Sequence, residues 1–191
     1  MTLTDLIANA RDALGGIDRL RGVRTYHAVA RRVTAGGRAS TVAVWRAAGG
    51  RIRIEEQTSG GRAVRVANGA DGSAETAERL RAARISPRNL LAHADEYKLA
   101  LRDQPAPDGS RIVSFPAEFV LYCFHPTTFY CTRLIDLTRD WRIAFNDYRT
   151  VDGIATPFAE RHASADAREG YEDRYAQVVY DAELPDDLFV V

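Results

Sequence analysis

The stretch Val23-Arg24-Thr25-Tyr26-His27-Ala28-Val29-Ala30-Arg31-Arg32-Val33-Thr34-Ala35-Gly36-Gly37-Arg38-Ala39-Ser40-Thr41-Val42-Ala43-Val44-Trp45-Arg46-Ala47-Ala48-Gly49-Gly50 decides the fold. Its side chains alternate in character with a period of two, which puts successive residues on opposite faces of a strand. Glycine pairs at Gly36-Gly37, Gly49-Gly50 and Gly60-Gly61 separate four such runs, 23–34, 39–47, 51–56 and 62–67. Tight turns need positive φ, so a glycine pair between short alternating runs marks a hairpin. Strands joined in this way are antiparallel neighbours, and the four runs predict a meander.

Upstream of this meander the period is helical. Thr4 is the expected N-cap, Asp5 suits the first turn, and Leu6, Ile7, Ala10, Ala13 and Leu14 form an apolar stripe that Gly15-Gly16 ends. Downstream, 68–72 reads as a loop and 74–83 as an Ala/Glu/Arg-rich helix. Ser86-Pro87 opens a short helix carrying Leu90, Leu91 and Ala94, with serine as cap and proline at the first position. Strands then resume at 96–102, 110–115, 118–125, 129–137, 141–151, 156–164 and 170–182. A sheet of about ten strands curls rather than staying flat. The expected fold is therefore mainly β (α+β), within a single domain over 1–191. A long curved antiparallel sheet forms an unclosed half-barrel, with an N-terminal helix and two mid-chain helices covering its concave side.

Composition narrows the function classes. Lys+Arg and Asp+Glu number 26 each, so no global field draws in nucleic acid. No run approaches the about 20 apolar residues of a membrane-spanning helix. The N-terminus lacks the basic and apolar regions of a secretory signal, since Asn9, Arg11 and Asp12 interrupt it. With Met1 as the start, the expected location is the cytoplasm.

Short motifs resemble a known family. A helix ending in Ala13-Leu14-Gly15-Gly16 leads into a strand opened by Leu20 and Val23. Asp147-Tyr148-Arg149-Thr150-Val151-Asp152-Gly153-Ile154-Ala155-Thr156-Pro157 looks like a "strand, v-x-G-x-x-x-P, strand" element, and Leu184-Pro185-Asp186-Asp187-Leu188-Phe189 like a terminal motif. Together they resemble the LolA/LolB-like lipoprotein-carrier superfamily. The resemblance implies an unclosed β-barrel with a helical lid and an apolar cavity. It departs from the carriers in lacking an export signal, and in lacking a tryptophan after Asp71-Gly72. The same fold also serves at least one cytoplasmic, cofactor-free pigment-pathway enzyme.

Several residues are candidates for chemistry. If the hairpin at Thr127 is symmetric, Cys123 faces Cys131 and His125 faces Phe129, on one face with Leu121 and Arg133. Such a group suits a redox couple, a nucleophile with its base, or half of a metal site. Against this, free cysteines pack as small hydrophobes, and two Cys with one His fall short of four zinc ligands. His27 and His93 read as isolated. Glu160 and His162 are same-face neighbours able to orient an imidazole as general base, or to form a solvated polar ladder. Trp141, Ile143 and Phe145 share a face expected to continue through Asp147 and Arg149 as a charged cavity rim. The candidate catalytic set is His125, Glu160, His162 and Tyr148. The candidate ligand-binding set is Arg133, Cys123, Cys131, Phe145, Trp141 and Arg149.

No metal or cofactor is expected. The cavity is expected to hold an apolar or aromatic small molecule, as a cofactor-independent enzyme of cyclisation, rearrangement or isomerisation. Catalysis there would come from positioning and water exclusion. The alternative is a non-catalytic lipid or lipoprotein carrier.

Overall fold

A computed structural model describes residues 1–68, 77 and 81–190; among these, eleven strands form one antiparallel sheet. The first meander comprises β1 (Tyr26–Thr34), β2 (Ala39–Ala47), β3 (Arg51–Thr58) and β4 (Gly61–Asn68). The second runs through β5 (Ala100–Leu101), β6 (Arg111–Phe115), β7 (Val120–Phe124), β8 (Cys131–Asp136), β9 (Trp141–Val151), β10 (Ile154–Ser164) and β11 (Gly170–Tyr180). The spatial order is β4-β3-β2-β1-β11-β10-β9-β8-β7-β6-β5. Every neighbouring pair is consecutive in the chain except β1 against β11, which joins the two meanders. β4 and β5 are left as the two edges, so the sheet is an unclosed half-barrel.

Among the described residues, α1 (Leu3–Leu14), α2 (Ile17–Gly22) and α3 (Pro87–Ala92) cover one face. Thr2, not Thr4, caps α1. Its hydroxyl accepts from the Asp5 amide at 3.1 Å, and the Asp5 carboxylate accepts from the Thr2 amide at 2.8 Å. The reciprocal pair needs an acidic residue three positions on; Thr2 has Asp5 there, whereas Thr4 has Ile7. Ser86 and Pro87 open α3 as expected. Residues 77 and 81–84 are helical, and the remainder of the 74–83 helix and of the 68–72 loop lies outside the described residues. The 96–102 strand shrinks to β5, because Ala94–Glu96 forms a 3-10 turn and the Tyr97 ring stacks on Phe115 at 4.7 Å instead of continuing a ladder.

The core lies between helices and sheet. Leu6, Ala10, Leu14 and Leu20 meet Leu90 and Leu91 above Val113, Tyr122, Phe124 and Leu134, all buried. The Tyr122 hydroxyl fixes the cover to this core by a buried bond to the Ile85 carbonyl at 2.9 Å, and Arg11 Nε ties α1 to α3 by donating to the Leu91 carbonyl at 2.8 Å.

One backbone contact sets the position of α1 and α2. Gly15 ends α1 with φ of 114°, and a Cβ there would lie 2.0 Å from the carbonyl oxygen of Gly153. Asp152 and Gly153 both have positive φ and make the two-residue turn between β9 and β10. Two of the three motifs that carry the family resemblance thus touch. Gly15→Ala is expected to cost about 2–3 kcal/mol or more, because both the φ and the backbone neighbour resist a side chain. Gly16→Ala, with open space around its Cβ, is expected to cost less. Urea unfolding midpoints of the two variants check the order.

Candidate ligand cavity

A chamber of about 210 Å³ lies beneath the cover. Leu14 comes from α1, Ile85 and Pro87 from the start of α3, and Leu134, Ile143, Phe145 and Ile154 from β8, β9 and β10. These apolar groups face tyrosines 26, 148, 175 and 180. A second, outer hollow of about 550 Å³ adjoins it and shares Tyr26, Arg46 and Arg88 with the chamber.

The chamber wall mixes apolar side chains with polar groups, several of which are engaged with one another or with backbone. Tyr148 donates its hydroxyl proton to the Cys131 carbonyl at 2.6 Å, and burial pushes its pKa well up. The hydroxyls of Thr156 and Tyr180 share a hydrogen bond at 2.9 Å. Glu160 Oε2 lies 3.2 Å from His162 Nε2. The His162 ring stacks on Tyr171 at 4.3 Å, and the Arg32 guanidinium caps the far side of Tyr171 at 3.9 Å. Asp173 holds Arg32 through two hydrogen bonds of 2.8 Å. Burial pushes the Tyr171 phenol up to about 12, so it stays protonated at neutral pH. This arrangement fixes the orientation of the imidazole on the chamber wall.

The structure brings four of the sequence candidates together on the chamber wall: Phe145, Tyr148, Glu160 and His162. The other six lie elsewhere. Trp141 sits at the outer start of β9, opposite Asp136 and Ser164. Arg149 is exposed, paired with Asp147 at 2.6 Å and lying over the Phe158 ring. The expected face Trp141-Ile143-Phe145-Asp147-Arg149 is corrected, because the left-handed backbone of Asp147 (φ 54°) breaks the alternation. Tyr148 follows Phe145 into the chamber instead.

The Cys123–Cys131 facing is also corrected. A bulge between Cys123 and Phe124 pairs Cys123 with Arg133 and Phe124 with Cys131. The extra residue in one strand turns the two thiols away from a common face. The His125 amide donates to the Tyr130 carbonyl at 2.9 Å, and the His125 carbonyl accepts from the Phe129 amide at 3.1 Å, so His125 and Phe129 do meet, within a tight turn. Its Nδ1 accepts the amides of Thr127 and Thr128 at 3.3 and 3.2 Å, which makes it a turn cap. Arg133 pairs with Asp108 at 2.7 Å. His27 stacks on Trp45, and His93 pairs with Glu96. Among the described residues, no group of three His, Cys, Asp or Glu could hold a metal ion.

Residues that the sequence reading passed over complete the site: Tyr26, Arg46, Arg88, Tyr175 and Tyr180. For Arg46 a signal existed, since it follows Val42 and Val44 on the inward row of β2.

The cover is clamped at its other end. Arg81 bridges Asp136 and Glu118, and Arg84 pairs with Glu118 at 2.6 Å. Burial works to raise the Asp136 carboxyl, but the hydrogen bonds from Arg81 and Thr138 outweigh it and hold the group below its ordinary value of 3.8.

No protein-family model matches the chain, and neither does any curated protein. Among solved structures it is similar to a LolA superfamily protein from Nitrosomonas europaea, with a TM-score of 0.59 and 12% identity over 100% of this chain and 98% of that one. A DUF1329 family protein from Desulfovibrio piger gives 0.55 and 14% over 98% and 96%. A domain assigned to outer membrane lipoprotein sorting, from Vibrio parahaemolyticus, gives 0.50 and 8% over 97% and 95%. These likenesses show that the chain has the LolA/LolB-like fold.

Two outcomes follow from the site. Burial pushes both thiol pKa values up, so Cys123 and Cys131 should react with Ellman's reagent at pH 8 only as fast as the protein unfolds. Asp136 has a folded pKa below its unfolded one. Its stabilisation is therefore present above the unfolded value, near 3.8, and is lost as pH falls through the depressed one. Acid unfolding followed by circular dichroism should begin at higher pH in native protein than in Asp136→Asn, once each curve is scaled to its own neutral stability.

Proposed function

We propose that the protein binds a hydrophobic, lipid-like ligand in the chamber beneath its helical cover, and that it acts as a carrier rather than as an enzyme. The observation that carries this reading is the chamber itself. Close packing is the rule in protein interiors, yet Ile143, Phe145, Ile154 and Tyr180 line open space next to a core that is otherwise filled. The fold shared with the LolA superfamily protein and with the lipoprotein-sorting domain supports the same reading.

The catalytic alternative, a cofactor-independent rearrangement or isomerisation, rests on the Glu160–His162 pair. It has less behind it. Tyr148 has its proton committed to a backbone carbonyl, and both thiols are held protonated by burial, away from any base in the chamber. Burial also keeps the phenols of Tyr26, Tyr175 and Tyr180 protonated, so the Glu160–His162 pair is what remains among the described lining residues to move protons. The carrier reading uses every chamber residue for packing and needs none to react.

Ile143→Trp tests the reading by filling the space. Native protein should enhance the fluorescence of N-phenyl-1-naphthylamine with saturable binding. The variant should bind at least about tenfold more weakly, at a stability cost below about 1 kcal/mol because the added ring enters a void. Absence of saturable binding to the native protein would sink the proposal. A bound ligand released with changed mass after incubation would restore the catalytic alternative.

A further inference from the structure

We infer, building on the binding role above, that the ligand is an amphiphile whose anionic headgroup is held between Arg46 and Arg88. Its apolar tail would lie in the chamber and its head at the junction with the outer hollow.

The two guanidiniums converge from opposite sides of that junction. Arg46 closes the inward row Val42, Val44, Arg46 of β2, and Arg88 is the second residue of α3. Both line the chamber and the outer hollow. Arg46 Nε is buried with no hydrogen-bond partner, and its guanidinium stands 5.6 Å from the Tyr26 ring. Among the described residues, Arg88 makes a single hydrogen bond, 3.3 Å, to the Leu20 carbonyl. Neither forms an ion pair among the described residues, whereas Arg11, Arg19, Arg32, Arg53, Arg81 and Arg133 all do. Burial lowers the Arg88 pKa and the neighbouring Arg46 charge adds to this, while Tyr180, Tyr26 and the Asp181 carboxylate, itself paired with Arg19, act the other way without restoring it.

A sheltered guanidinium without a counter-charge is costly, and two together repel each other. Among the described residues, no carboxylate pairs with either of them, and Asp181, which acts on Arg88 through space, is paired with Arg19. Glu160 is the one carboxylate among the described residues lining the chamber, and it faces His162. In the outer hollow, Glu96 faces His93 and Arg84 is met by Glu118. What the junction lacks is an anion. Guanidinium forks match the paired oxygens of a carboxylate or phosphate, and the apolar wall behind them suits the tail of the same molecule.

Decanoate, decyl phosphate and decanol, which share one tail, separate the terms. Each would be titrated into the native protein carrying N-phenyl-1-naphthylamine, with displacement as the readout. At least one anion should displace the probe at about tenfold lower concentration than decanol, and the stronger of the two identifies carboxylate or phosphate. In Arg46→Gln and Arg88→Gln that ratio should fall towards one. Arg46→Lys should retain part of it, and thermal melts verify that each variant is folded. Equal displacement by all three amphiphiles would overturn the anionic headgroup while leaving the binding role in place. An anion preference that survives both Gln variants would overturn the assignment to these arginines. If the native protein fails to bind the naphthylamine probe, the binding role falls and this inference with it.

Discussion

The approach of Gly15 to the Gly153 carbonyl is the contact on which the placement of the cover depends. A residue with any side chain at position 15 would hold α1 away from the β9–β10 turn. With glycine there, the chain reverses from α1 into α2 directly over the sheet. Arg19 of α2 then reaches the Asp152 carbonyl at 2.8 Å and the Asp181 carboxylate at 2.8 Å. Asp181 also accepts the Arg24 amide just before β1 begins. One close contact therefore aligns the helical pair, the β9–β10 turn and the ends of β1 and β11. That is where the two meanders join, so the cover is fixed over the one pairing that chain order does not dictate.

The opposite end of the cover is held by charge rather than by backbone contact. Arg81 and Arg84 reach the acidic pair Glu118 and Asp136 at the ends of β7 and β8. Between the two anchors, Leu90 and Leu91 fill the space above Val113, Tyr122 and Phe124. The space above Phe145, Ile154 and Tyr180 stays open. A cover fixed at both ends cannot settle further onto the sheet without breaking either the Gly15 contact or the Arg81 bridge. The chamber follows from where the anchors are, and a sheet left open at β4 and β5 has no closure to force it shut.

Most of the fold was legible in the sequence because it is local. β2 and β9 begin and end at the expected residues, since glycine pairs and an Asp-Gly turn set their limits. The Ser86-Pro87 start of α3 was equally plain. The site was harder to read, for a physical reason. Alternation assigns faces only while the strand stays regular, and irregularities sit where the chamber is built. The left-handed residue Asp147 turns Tyr148 inward, and a bulge opposite Val29 and Ala30 turns Tyr175 inward. The bulge beside Cys123 undoes the expected thiol pair. Each device shifts the count by one, and nothing in composition announces it. Glu160 and His162 were found because β10 is regular between them.

Charge hides in the same way. With 26 basic and 26 acidic residues the chain has no net charge, and a count offers no reason to look for an anion. Placement does. Asp95, Asp136, Asp173 and Glu118 are spent on arginines that fasten helices and strands to one another. Those carboxylates are committed to structural pairs, and among the described residues none pairs with Arg46 or Arg88 at the junction they share. A neutral chain can hold a cationic neck in this way, provided its acidic residues are drawn to the anchors. The same ion pairs that hold the cover over the chamber thereby leave its entrance positively charged.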